Sequence, residues 1–314
     1  MDDTTNAQPA TSGTDTIDRT GVNDVIRASG LGFSYGDFAA VEGLDLTVRR
    51  GELYALLGTN GAGKTTTLEV LEGHRRPTAG SVEVLGGDPA DRARTRPRVG
   101  IMLQDSGLAA ELTVRESVLL SGAVSGRDGD VDALLGRVGI AGKSGTRVAQ
   151  LSGGEKRRVD FAMAVWGTPE LVFLDEPTTG LDPSARDELW DVVRDLRDEG
   201  VTFLLTTHYL EEAERHADRI GLMHRGTLRR EGTVADLTAG STTSIRFVSP
   251  VAVADLPLAV SGTENGLVVV TTTDAQRDVA VLLAWATENG HRLERFATHE
   301  SGLDDVFRAL SRDA

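Results

Sequence analysis

Residues 52–74 read ELYALLGTNGAGKTTTLEVLEGH, and the order of residue types in this stretch decides the fold. An apolar run, LYALLG, stops at a glycine-rich loop, and TTTLEVLEGH then carries its apolar residues at helical spacing. The loop itself, GTNGAGKT at 58–65, matches G-x-x-x-x-G-K-[ST] in the strand–loop–helix setting that the motif requires. Its glycines let backbone N–H groups close around phosphates, and the helix that follows adds about half a positive charge at its start. Gly58, Thr59, Asn60, Gly61, Ala62, Gly63, Lys64, Thr65 and Thr66 are therefore the candidate nucleotide-binding set, with ATP and Mg²⁺ as the expected ligands. Lys64 is expected to reach the β and γ phosphates and the Thr65 hydroxyl to meet the metal. A chance glycine turn is the alternative. Against it, only Lys64, Lys143 and Lys156 are lysine among the 33 basic residues, and one of them stands in this loop.

Three further apolar runs end abruptly at polar residues. VGIML (99–103) stops at Gln104, LVFL (171–174) at Asp175 and Glu176, and VTFLLTT (201–207) at His208. Helical patterns lie between the runs, among them KRRVDFAMAVW and SARDELWDVVRDLRDEG. Strands alternating with helices predict a parallel α/β sheet, whose ligands bind beyond the carboxyl ends of the strands. Asp175 is then placed to bind the metal and Glu176 to polarise an attacking water. His208 stands where it can touch the γ-phosphate, although a lone histidine at a strand end is as readily structural. Gln104 follows the same logic with a weaker signal. The Tyr35 ring is available to stack on adenine, while its spacing alone reads as packing in a small sheet.

Outward from this centre the patterns change. Residues 25–57 alternate in short segments punctuated by Gly and Asp, which predicts antiparallel strands and hairpins. A helical insertion is expected at about 106–165. Residues 241–314 read strand, strand, helix, strand, helix, a small α+β domain separate from a main domain at 25–240. Residues 1–24 are polar and acidic and read as a disordered tail. With 48 acidic against 33 basic residues the net charge is −15, a poor surface for phosphate backbones, so no nucleic acid partner is expected. Cysteine is absent, which excludes disulfides and thiolate metal sites. No apolar run approaches the ~18 residues that span a bilayer, so any membrane contact is expected to run through another chain.

FSYG, GTNGAGKT, LQD, LSGGE, LVFLDEPTTGLDP and TTHYLEEAE occur in that order. This set resembles the ATP-binding subunit of an ABC transporter, over about residues 25–240. The resemblance implies an α/β P-loop NTPase fold of ABC type, with an antiparallel β subdomain, a helical subdomain and, here, the added carboxyl-terminal α+β domain. It implies Tyr35 as the adenine stacker and Gln104 as a coupling glutamine, grouped with Thr65 and Asp175 around the metal. Glu176 becomes the catalytic carboxylate, acting with Lys64 and with His208 as a switch histidine, and Asp182 belongs to a loop facing a partner subunit. The segment GLDDVFRALS and the domain before it resemble the drug-export, daunorubicin-resistance-type branch. Glu155 stands where the wider family usually has glutamine, and Trp166 is bulky where small apolar residues are usual.

LSGGE supplies a second glycine pair. Ser152, Gly153 and Gly154, expected just ahead of a helix, offer backbone N–H groups and a hydroxyl to an anion. The resemblance implies that Ser152, Gly153, Gly154 and Glu155 face outward and close over the ATP of a second copy, giving two shared sites across a two-fold axis. A simple helix cap is the plainer alternative and leaves the accompanying motifs unexplained. The implied function is the ATP-hydrolysing subunit of an exporter of a small molecule. It would act peripherally at the cytoplasmic face of the cell membrane, with separate integral membrane subunits docked near Gln104. The competing class, a soluble ABC ATPase of translation or DNA repair, fits poorly with one cassette and no heptads.

Overall fold

The computed structural model describes residues 23–104, 107–239, 242–300 and 302–312. Most of the expected amino-terminal tail and the expected boundary at 240–241 lie outside these residues; Asp24, assigned to the tail, opens the first strand.

The chain runs β1 (Asp24–Tyr35), β2 (Phe38–Arg49), β3 (Leu53–Gly58), α1 (Lys64–Leu71), β4 (Ala79–Val84), α2 (Arg92–Thr95) and β5 (Val99–Met102). It continues through α3 (Val114–Ser125), α4 (Val131–Arg137), α5 (Gly153–Val165), β6 (Leu171–Asp175), α6 (Pro183–Asp198), β7 (Thr202–Thr207) and α7 (Leu210–His216). Then come β8 (Arg219–His224), β9 (Thr227–Gly232), α8 (Val234–Thr238), β10 (Thr243–Val248), β11 (Gly262–Glu264), β12 (Leu267–Thr272), α9 (Ala275–Glu288), β13 (Glu294–Glu300) and α10 (Leu303–Arg312).

The central sheet has the order β5-β6-β7-β3-β8-β9, parallel except for β9. Every residue of β3, β6 and β7 is buried, as expected of parallel strands covered on both faces. Helix α6 shows why a helix forms and which way it turns. Asp182 caps it by accepting from the Ala185 N–H at 3.0 Å, Pro183 opens it, and Leu189, Trp190, Val193 and Leu196 form its buried stripe.

Residues 25–57 were expected to hold antiparallel strands, with LYALLG also expected as one of the runs of the parallel sheet, and the structure divides the region. β1 and β2 form the expected hairpin, whereas the LYALLG segment leaves it as β3 and pairs in parallel with β7 and β8. The third antiparallel strand is β4, which comes after α1 and pairs with β1. β4 is mostly exposed, and its apolar alternation is confined to the short SVEV, of which Val84 alone is buried.

In the helical insertion, Trp166 finds its explanation. Its ring is buried, its Nε1 donates to the Arg127 carbonyl at 3.2 Å, and its Nε1–Cδ1 edge packs against Gly122 of α3. A Cβ at position 122 would stand 2.3 Å from Trp166 Nε1 and 2.8 Å from the Arg127 oxygen. Gly122→Ala is therefore expected to destabilise the chain by about 1–3 kcal/mol, read as a lowered midpoint in urea with unchanged slope. An unchanged midpoint would contradict this packing.

The carboxyl-terminal region forms a four-stranded sheet, β11-β12-β10-β13, with α9 against it and a core of Ile245, Phe247, Val268, Val270 and Leu282. Helix α10 leaves that sheet. Its Leu303 and Val306 join the core of the central sheet, it contacts α7, α8 and β8, and the Leu303 N–H donates to Glu214 at 2.6 Å.

Candidate functional site

All four polar stops fall on one edge of the central sheet. β5, β6, β7 and β3 are neighbours in that order, and the register pairs Met102 with Leu174, Asp175 with Thr206, and Leu57 with Thr207. Glu176 and His208 follow directly on β6 and β7, Gln104 stands two residues beyond the end of β5, and Gly58 closes β3.

The glycine loop turns at Gly61 and Gly63, both with positive φ, and the latter caps α1. A Cβ on Gly63 would lie 2.5 Å from the Ala40 carbonyl, so this position requires glycine on two counts. Lys64 is buried and curls over the loop, its Nζ donating to the carbonyls of Gly58 (2.7 Å) and Thr59 (3.3 Å). Burial lowers its pKa, against the pull of Glu176 and Asp175. Ala62 packs into the core, whereas Asn60 and Thr65 are exposed. Tyr35 stands over α1 with 44% of its surface exposed. Its hydroxyl is 3.4 Å from the Thr66 Oγ1 and 3.3 Å from Glu69, and Arg75 lies 4.9 Å from its ring centre.

Asp175 is buried at the end of β6 and accepts from the hydroxyl of Thr206 on β7. Burial raises its pKa, opposed by the Thr206 hydroxyl, Lys64 and Arg157. Glu176 has a left-handed backbone, φ 49°, uncommon for a residue with a side chain. Its two carboxylate oxygens meet His208 Nδ1 at 3.1 Å and the Thr179 hydroxyl at 3.3 Å. The structure thus brings Lys64, Asp175, Glu176 and His208 together. Thr206 and Thr179 were missed in the sequence; a threonine inside an apolar run was the available signal for the first.

The second glycine pair begins α5 rather than preceding it: Ser152 is the cap and Gly153 the first helical residue. Ser152 accepts from the Glu155 N–H at 3.2 Å, and Glu155 accepts from the Ser152 N–H at 2.8 Å. That N–H, with Lys143 3.3 Å away, holds the Glu155 carboxyl below its usual range. Ser152 and Gly153 are exposed, and a Cβ on Gly154 would lie 3.6 Å from Leu181, the neighbour of exposed Asp182. The expected partner-facing residues therefore share one surface, even though Asp182 spends its carboxylate capping α6.

Two known families match separate stretches of the chain. The family described as ABC transporter matches residues 41–179, and the family described as ABC transporter domain-containing protein-like, C-terminal domain, matches 242–301. The daunorubicin resistance ATP-binding protein of Streptomyces coeruleorubidus is 39% identical, over 92% of this chain and 96% of its own. The chain is an ATP-binding subunit of the ABC transporter family. The Nod factor export ATP-binding protein I of Burkholderia lata is 44% identical to this ABC subunit, over 63% of the chain and 67% of its own. A solved structure described as the ATP binding subunit of an ABC transporter superposes with TM-score 0.64 at 29% identity, over 69% of this chain and 92% of that one. As a member of this family the chain is an ATPase. Among the described residues, no helix is long and apolar enough to cross a membrane.

Proposed function

We propose that this ABC subunit powers the export of a small molecule, binding ATP between two copies of itself and driving separate integral membrane subunits. Glu176 takes up the proton of the attacking water, and His208, 3.1 Å from its carboxylate, holds that carboxylate in line. Lys64 and the N–H groups of 58–65 neutralise charge that grows on the phosphates, and Tyr35 stacks on the adenine. Thr65 and Asp175 would hold Mg²⁺ through one hydroxyl and one carboxylate, hard oxygen donors that suit it, with Gln104 nearby. When bound, the metal supplies charge stabilisation to the phosphates.

One observation carries the link to a membrane partner. Beside Gln104, between β5 and helices α3 and α5, lies an apolar groove of about 450 Å³ lined by Leu103, Leu108, Leu112, Leu120, Val124 and Met163. Leu120 and Val124 are 52% and 61% exposed, unusual for adjacent turns of a helix in a charged protein. A membrane subunit is the occupant that fits, because a transporter's ATPase has to reach the bilayer through another chain. Such docking puts the protein at the cytoplasmic face of the membrane. Leu120→Glu with Val124→Glu is expected to leave ATP turnover of the isolated protein within about twofold. It is expected to move the protein from the membrane fraction of its own cells to the soluble fraction. A doubly substituted chain still found with membranes would exclude this groove as the docking site.

A further inference from the structure

Arg157 is 6% exposed, one turn into α5 behind the two carboxylates. Its Nε donates to the Pro177 carbonyl at 3.1 Å. Nη1 donates to Leu103 and Gln104, at 2.8 and 3.0 Å, and Nη2 to Asp175 and Glu176, at 2.7 and 2.6 Å. One side chain thus ties the first turns of α5 to the chain leaving β5 and to the chain leaving β6. Burying a guanidinium costs several kcal/mol unless its N–H groups are satisfied, and an apolar side chain would fill the same volume at lower cost. The carbonyls of Asp175, Glu176 and Pro177 all accept from this fork, and the residue at the centre of the three, Glu176, has the left-handed backbone. Such a backbone is strained and persists only where its surroundings hold it.

We infer that Arg157 is a positioning residue for ATP hydrolysis: its five-donor fork holds the Glu176 backbone in the conformation that aims its carboxylate, and couples that aim to α5. The inference rests on Glu176 acting on the water. Lysine keeps the charge but has one nitrogen, and it cannot serve carbonyls spread across a plane.

Arg157→Lys is therefore expected to lower kcat about 30-fold or more while changing ATP affinity less than about threefold, since misaiming a reacting group is far costlier than its bulk suggests. In a Glu176→Gln chain, where no carboxylate remains to be aimed, the same substitution is expected to lower residual turnover less than about threefold. Arg157→Gln, read in the same way, serves where the lysine chain melts below the assay temperature. Turnover of Arg157→Lys within threefold of the unaltered protein would overturn the inference, and so would an equal loss in both backgrounds. Failure of both variants to fold would overturn it too, making Arg157 a core residue and no more. Normal turnover in Glu176→Gln alone would strike the reading underneath, and is told apart because it needs no change at Arg157.

Discussion

Glu176→Gln is expected to bind ATP as the unaltered protein does and to release phosphate about 10²-fold more slowly or worse, the usual scale for losing a general base. The substitution keeps the shape and the contact with the Thr179 hydroxyl while removing the charge that accepts a proton. It also removes a negative charge beside Lys64, whose pKa Glu176 helps to raise, so the lysine has one competitor fewer for the phosphates. Lys64→Ala gives the opposite pattern. The Nζ held over the carbonyls of Gly58 and Thr59 is lost, and with it a charged hydrogen bond worth ~1.5–3 kcal/mol, so ATP affinity should fall about tenfold to a hundredfold. Equilibrium binding of a fluorescent ATP analogue and steady-state phosphate release, measured on both variants, separate the two effects. Unchanged turnover in Glu176→Gln would remove it from the catalytic role.

Gly154→Asp should abolish ATP-dependent pairing without touching the ATP site of its own chain. The monomer tolerates the change: a Cβ there makes ordinary contact with Leu181, and an acidic residue in the first turn of α5 suits the helix dipole. Across a dimer the same carboxylate would meet a partner's γ-phosphate, and like charges at about 4 Å cost roughly 4 kcal/mol even in a polar interface. Pairing should therefore weaken by about 10²-fold or more. Mixing this chain with Lys64→Ala is the sharper experiment. One composite site then carries both defects and the other has both loops intact, so pairing should partly return. Light scattering with and without ATP, in chains that also carry Glu176→Gln, reads the outcome. Normal pairing of Gly154→Asp, or loss of ATP from its own monomer, would reduce LSGGE to the capping box seen between Ser152 and Glu155.

Much of this site is legible without coordinates because its chemistry sits at the ends of buried strands. A parallel strand covered on both faces must be apolar throughout, so GTNGAGKT, Asp175-Glu176 and His208 stand out as sudden stops after LYALLG, LVFL and VTFLLTT. Hydrophobic periodicity likewise marks α6 and the alternation of strand and helix from 241 onward. Tertiary structure alone decided that β4 completes the antiparallel sheet, since the short alternation SVEV does not say which strand it pairs with. It decided that Trp166 fills the space over Gly122, that α10 leaves its own small domain for the main core, and that Arg157 reaches carbonyls on two different strand ends. Each of these is a contact between residues far apart in the chain. The buried fork of Arg157 is the clearest case: in the string EKRR it reads as one solvated charge among four, and only the fold turns it inward.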